Sequence, residues 1–144
     1  MSSVNGLGSL LAKIEAVGGN AEKSLKKSIG QATKNVQKDV KLLTPVRDGD
    51  LRDSIKEEVT DDNNKIVGRV YTNLEYAPYV EFGTGKRGDE SPSPPKWDGD
   101  LSYREDWAGM PAQPYLYPAA TNNEKATVSI VKKKLREDLR KLRK

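Results

Sequence analysis

Among the residues that could do chemistry, Glu81 is the strongest single acid. It stands in the aromatic run Tyr76-Ala77-Pro78-Tyr79-Val80-Glu81-Phe82, directly before Gly83-Thr84-Gly85-Lys86. Acid–base catalysis needs a second group at a set spacing, and none is evident. The chain has no histidine, which removes the commonest general base and metal ligand, and no cysteine, which removes thiolate nucleophiles, thiolate metal sites and disulfides. Glu81 is therefore read as a carboxylate that accepts from nearby backbone amides or pairs with Arg52. The Gly-Thr-Gly-Lys stretch superficially matches a phosphate loop but lacks the GxxxxGK[ST] spacing. It is read as a glycine turn, with Gly83 and Gly85 free to take positive φ. No catalytic, cofactor-binding or metal-binding residue is assigned.

The remaining chemistry is cationic. Net charge is +4, but residues 118–144 hold nine Lys/Arg against three Asp/Glu, so the C-terminal segment carries +6 and the other 117 residues −2. Lys132, Lys133, Lys134, Arg136 and Arg140 are candidate DNA-facing residues, since phosphate neutralisation is independent of sequence. Solvation of an amphipathic helix is the competing reading. A second set, Lys23, Lys26, Lys27, Lys34, Lys38 and Lys41, lies opposite an apolar stripe and is open to the same two readings. No apolar stretch reaches the ~20 residues of a membrane span, and the first residues do not read as a signal peptide, so a cytoplasm-like space is expected.

The elements that position these residues follow from periodicity. Leu7, Leu10, Leu11, Ile14 and Val17 predict a short first helix, so residues 1–19 are read as an arm or short helix ahead of one domain over 20–144. Asn20 is a good N-cap. Ala21, Leu25, Ile29, Ala32, Val36, Val40 and Leu43 then form one stripe on a helix that Pro45 ends at Thr44. After the turn at Arg47-Asp48-Gly49-Asp50, residues 55–59 and 65–71 read as a β-hairpin, with Gly68 marking a bulge or a close backbone approach. Tyr76–Phe82 is a helical turn or a third strand, and Pro78 argues against a central strand. Residues 86–109 form a long loop with Pro92, Pro94, Pro95, Trp97, Tyr103 and Trp107; the three aromatics are candidate inter-subunit or inter-ring contacts. Val128, Val131, Leu135, Leu139 and Leu142 mark an amphipathic C-terminal helix.

The fold class is therefore α+β. A small, mainly antiparallel sheet is packed by the helix of 21–43 and a C-terminal helix over 118–142. Tyr76, Tyr79, Phe82, Tyr115 and Leu116 are expected to cluster. Hydrophobic residues make up only 35% of the chain, which fits a core completed by neighbouring subunits or a partly flexible chain.

Three motifs in fixed order resemble a known family. Thr44-Pro45-Val46 leads through Gly49 to Leu51-Arg52-Asp53-Ser54-Ile55. Tyr76-Ala77-Pro78-Tyr79-Val80-Glu81-Phe82-Gly83-Thr84-Gly85 follows, and then Gln113-Pro114-Tyr115-Leu116-Tyr117-Pro118-Ala119. Together, from about Ala21 to Leu142, they resemble the neck or tail-completion proteins at the head–tail junction of long-tailed double-stranded DNA bacteriophages. The turn departs from the family's usual Asp-Thr-Gly-Arg, and Tyr115 stands where Phe is common, adding a hydroxyl that needs a partner or water. The resemblance implies a non-enzymatic virion protein without cofactors that forms a ring, commonly a hexamer. The ring would meet neighbouring connector or stopper proteins and the tail terminator or tail tube. It would join the filled head to the tail and let DNA pass through its lumen, with assembly in the host cytoplasm. The alternative is a stand-alone, sequence-independent DNA-binding module using the basic C-terminal helix.

Overall fold

In the computed structural model, residues 7–18, 20–46, 49–62, 65–92, 94–95 and 102–142 are described. The elements in chain order are α1 (Leu7–Ala16), α2 (Ala21–Leu43), α3 (Asp50–Asp53), β1 (Lys56–Asp62), β2 (Lys65–Tyr71), α4 (Ala77–Phe82), α5 (Gly85–Asp89), α6 (Leu116–Asn122) and α7 (Glu124–Leu142). Strands β1 and β2 pair as a two-stranded antiparallel hairpin, so the class is the small α+β expected. The chain divides into two compact units. One comprises Met1–Val36, Glu57–Val70 and Asn122–Lys144; the other comprises Gln37–Lys56 and Tyr71–Thr121.

The first unit is built helix against helix. Leu10 and Ile14 of α1, Ala21 of α2, and Val131, Leu135 and Leu139 of α7 form its buried cluster, with Leu11, Leu25 and Ile29 packed around it. The 3- and 4-residue spacings put these side chains on one stripe of each helix, and burying that stripe is what stabilises helices of this length. Asn20 caps α2 as expected, its Oδ1 accepting from the Lys23 amide at 3.0 Å. The hairpin lies on α2. Val59 of β1 is the nearest neighbour of Gly30, and Gly68 of β2 comes so close to Thr33 and Ile29 that a β-carbon there would strike the Thr33 hydroxyl. Gly68 is thus a close-approach glycine. Arg69 and Glu58 form an ion pair across the strands at 3.1 Å.

Two expectations about helices are corrected. The C-terminal helix is not continuous from Pro118: it divides into α6 and α7 at Asn123. Asn123 is buried, its side-chain oxygen accepts from Asn35 Nδ2 at 2.9 Å, and its carbonyl accepts from the Thr127 amide at 2.8 Å, so it begins α7. The stripe on α2 also ends differently. Leu43 is 43% exposed and Thr44, one position on, is buried in its place. Thr44 follows Val40 by four residues, so it continues the buried face, and its hydroxyl donates to the Val40 carbonyl. Ser28 and Thr33 join that face on the same terms, donating to carbonyls three or four residues earlier. Apolar periodicity alone passes over these small hydroxyl residues, which satisfy themselves within the helix and so can be buried at low cost.

Candidate functional site

The second unit brings the three motifs together. Thr44 is buried at the end of α2, and Gly49 takes a left-handed φ of +81° to start α3. That turn sends Leu51 and Ile55 inward, at 4% and 2% exposure, and leaves Arg52 on the surface. Gln37 holds the following segment through its Nε2 to the Ile55 carbonyl at 3.0 Å, and the hydroxyls of Ser54 and Thr72 meet at 2.6 Å. Arg47 and Asp48 lie outside the described residues.

The aromatic run forms helix α4, with Pro78 in the first turn, where a missing amide costs nothing. A short helix rather than a strand decides which side chains face in. Ala77 and Glu81, four apart, are buried; Tyr76 and Tyr79 are 41% and 62% exposed. The expected aromatic cluster is therefore not a single buried group. Tyr115 is fully buried, whereas Tyr76 and Tyr79 belong to the surface.

Glu81 is the central residue of this unit. One carboxylate oxygen, Oε2, accepts from the Tyr115 amide at 2.6 Å and the Leu116 amide at 3.1 Å; the other, Oε1, accepts from the Tyr117 amide at 2.8 Å. These are the amides at the start of α6, which have no partner within the helix. A carboxylate there meets three donors and the positive end of the helix dipole. Glu81 thus caps a helix 34 residues further along the chain, and its acceptor capacity is committed to backbone. Of the two sequence readings, the amide partner is the one found; no ion pair between Glu81 and Arg52 exists among the described residues. The Tyr115 hydroxyl, the departure from the usual Phe, finds its partner in the Ala77 carbonyl at 3.0 Å. Burial, with the neighbouring Glu81 carboxylate adding to it, pushes the Tyr115 phenol above its ordinary pKa.

The glycine turn after Glu81 is a backbone knot. Gly83 and Gly85 have φ of +78° and +61°. A β-carbon on Gly83 would sit 2.6 Å from the Ala112 nitrogen and 2.7 Å from the Met110 oxygen. Thr84 and Met110 exchange amide–carbonyl bonds at 2.9 and 3.0 Å, and the Lys86 and Arg87 amides donate to the Trp107 and Ala108 carbonyls at 2.9 Å each. The amides that a phosphate loop would turn toward its ligand are therefore bonded to protein carbonyls. The knot also closes the base of the 86–109 segment, whose first residues are helix α5. Glycine punctuation in the sequence marks the turn, but nothing in it names Trp107–Met110 as the partner.

The remaining singled-out residues fall as follows. Tyr103 is half-buried, and its hydroxyl donates to the Phe82 carbonyl at 3.0 Å. Trp107 is 50% exposed. Trp97 lies outside the described residues. Pro45, Leu51, Tyr76, Tyr79, Val80 and Met110 line most of a hollow of about 300 Å³, and no charged side chain lines it among the described residues. Pro114, Leu116 and Pro118 are half-buried. On α7, Lys133, Arg136 and Arg140 are exposed, Lys132 and Lys134 are half-buried, and Lys134 lies 3.8 Å from Asp138. Among the described residues no group of three or more acidic side chains is placed to hold a metal ion, and no helix is long and apolar enough to cross a membrane.

No curated protein and no solved structure matches the chain. Residues 8–83 match a protein family described as "Bacteriophage HK97-gp10, putative tail-component". The match runs from α1 through Gly83 and so contains Glu81, while the three amides it caps lie beyond its end. On a match over more than half its length, the chain belongs to the HK97-gp10-like family of bacteriophage tail components.

Proposed function

We propose that this protein is a structural, non-enzymatic component of the virion that forms a ring, most simply a hexamer, at the head–tail junction. The ring joins the DNA-filled head to the tail and lines the DNA passage. Membership of a phage tail-component family supports the tail assignment, and the order of the three motifs supports the junction. The observation that carries the assembly reading is the distribution of exposed apolar side chains. Among the described residues, ten large hydrophobic side chains stand exposed: Leu42, Leu43, Val46, Tyr76, Tyr79, Trp107, Met110 and Tyr117 belong to the second unit, and Val17 and Val67 to the first. Aromatic and Met side chains gathered on one unit, around rigid backbone fixed by Glu81 and the glycine knot, are what a protein–protein interface needs. Head-to-tail contacts between such units close into a ring when the rotation between neighbours closes. Its partners are then further copies of itself, the adjoining connector or stopper protein, and the tail terminator or tail tube.

The test is light scattering and negative-stain microscopy of the purified protein, alone and with isolated tails. Rings, or ring density added at one end of the tail, are expected. A monomer that stays monomeric and adds nothing to tails would overturn the reading. Replacing Tyr79 and Met110 together by Ser should prevent ring growth while leaving the circular dichroism spectrum of the monomer unchanged.

A further inference from the structure

The proposed passage for DNA needs a surface that meets phosphates, and the sequence pointed first to α7. The charges are arranged better on α2. Lys23, Lys26, Lys27 and Lys34 are all exposed and line one groove of the first unit, about 460 Å³ in volume, beside β1. At 100° per residue these four fall within an arc of about 100°, so they form one face along roughly 16 Å of helix. None of them has an ion-pair partner among the described residues. The acids nearby are accounted for. Glu58 is held by Arg69 at 3.1 Å. Glu22 sits at the edge of the lysine arc, where it feels Lys26, but its pKa is raised chiefly by its hydrogen bond to Asp61. Glu57 remains on the opposite wall, leaving the face cationic. By contrast, α7 answers part of its own charge, with Lys134 beside Asp138 and Glu137 within the same turn.

We infer that the lysine face of α2, rather than the basic residues of α7, is a binding surface for the phosphate backbone of duplex DNA. This rests on the connector reading for its place in the virion. The type of cation fits the task. Helix α2 carries lysine and no arginine. Lysine is a mobile point charge, whereas arginine grips phosphate in a fixed two-pronged geometry. Mobile point charges attract the backbone without fixing its register, so DNA is held near the surface and still slides. Gly30, in the middle of the face, keeps the groove open, because no side chain projects there.

The test is fluorescence anisotropy of a labelled duplex of about 25 base pairs, titrated with the full-length protein over a salt series. Two triple variants are compared at exposed positions: Lys23→Gln, Lys27→Gln and Lys34→Gln on α2, and Lys133→Gln, Arg136→Gln and Arg140→Gln on α7. Each neutralised phosphate contributes about 0.9 to the slope of log K against log salt, so the α2 variant should lower that slope by about 2 to 3. It should also bind at least about tenfold more weakly at 50 mM salt, while the α7 variant stays within about threefold of the parent. Loss carried by the α7 variant, or a parent that binds no duplex at 50 mM salt, would overturn the inference. So would an α2 variant that keeps duplex affinity but no longer adds to tails, since the face would then dock an acidic protein. Tail addition by the parent is scored separately. Rings without α2-dependent binding sink this inference alone, and α2-dependent binding without rings sinks the connector reading alone.

Discussion

Removing the Glu81 carboxylate is the sharpest test of how the second unit is held together. In Glu81→Ala the amides of Tyr115, Leu116 and Tyr117 lose their acceptors at 2.6, 3.1 and 2.8 Å. A hydrogen bond to a charged group is worth about 1.5–3 kcal/mol. The three share one carboxylate and do not add, and water can reach the exposed Tyr117 side; the Tyr115 bond is buried and cannot be replaced so easily. The expected loss is about 3–5 kcal/mol, against a total stability of roughly 5–15 kcal/mol for a domain. Glu81→Gln separates charge from shape. Its carbonyl oxygen can keep the Tyr115 and Leu116 amides, but its NH₂ then faces the Tyr117 N–H, donor to donor. That variant should lose about 2 kcal/mol, between the parent and Ala. Trp107 falls within the second unit, so its fluorescence during urea unfolding reports on the right part of the chain. With a slope of about 1–3 kcal/mol per molar urea, a 2 kcal/mol loss moves the midpoint by roughly 1 M. If both variants unfold within about 0.5 kcal/mol of the parent, the carboxylate does not stabilise this unit and the argument from geometry fails.

Four further outcomes are expected. Tyr115→Phe removes the bond to the Ala77 carbonyl at 3.0 Å and should cost about 1 kcal/mol near neutral pH. Because burial raises the folded-state pKa of Tyr115 above the unfolded value of about 10, its contribution is complete below that pH and is lost as pH rises past it; the variant's stability should fall less steeply in alkaline urea titrations than the parent's. Gly83→Ala meets backbone on three sides at a φ of +78° and should lose about 3 kcal/mol or more in chemical denaturation. Gly30→Ala has only Val59 at 3.9 Å and should gain about 0.5–1 kcal/mol as helix propensity improves, so a loss at Gly30 would count against the described packing. Ile14→Ala, at a position with no exposed surface, should cost about 2–5 kcal/mol by calorimetry; a negligible change would mean that α1 is not part of the core of the first unit.

The sequence by itself determined the elements whose signals are local. The apolar spacings of Leu10–Ile14, Ala21–Val40 and Val131–Leu139 fixed three helices, because a 3.6-residue period must put those residues on one side. Asn20 and Pro45 marked the ends of α2, Gly49 and Gly83 marked turns, and the absence of histidine and cysteine limited the chemistry from the start. What periodicity could not read was a boundary or a face set by a distant partner. Asn123 divides α6 from α7 because Asn35 lies against it, and Thr44 replaces Leu43 in the buried face because its hydroxyl is satisfied inside the helix. Glu81 could be read as a carboxylate in need of amide donors, but which amides it caps depends on chain folded back from 34 residues away. The same holds for Thr84 with Met110 and for Tyr115 with Ala77. Backbone amides and carbonyls are identical in every residue, so the sequence carries no mark of which pair will meet; only the tertiary structure decides it.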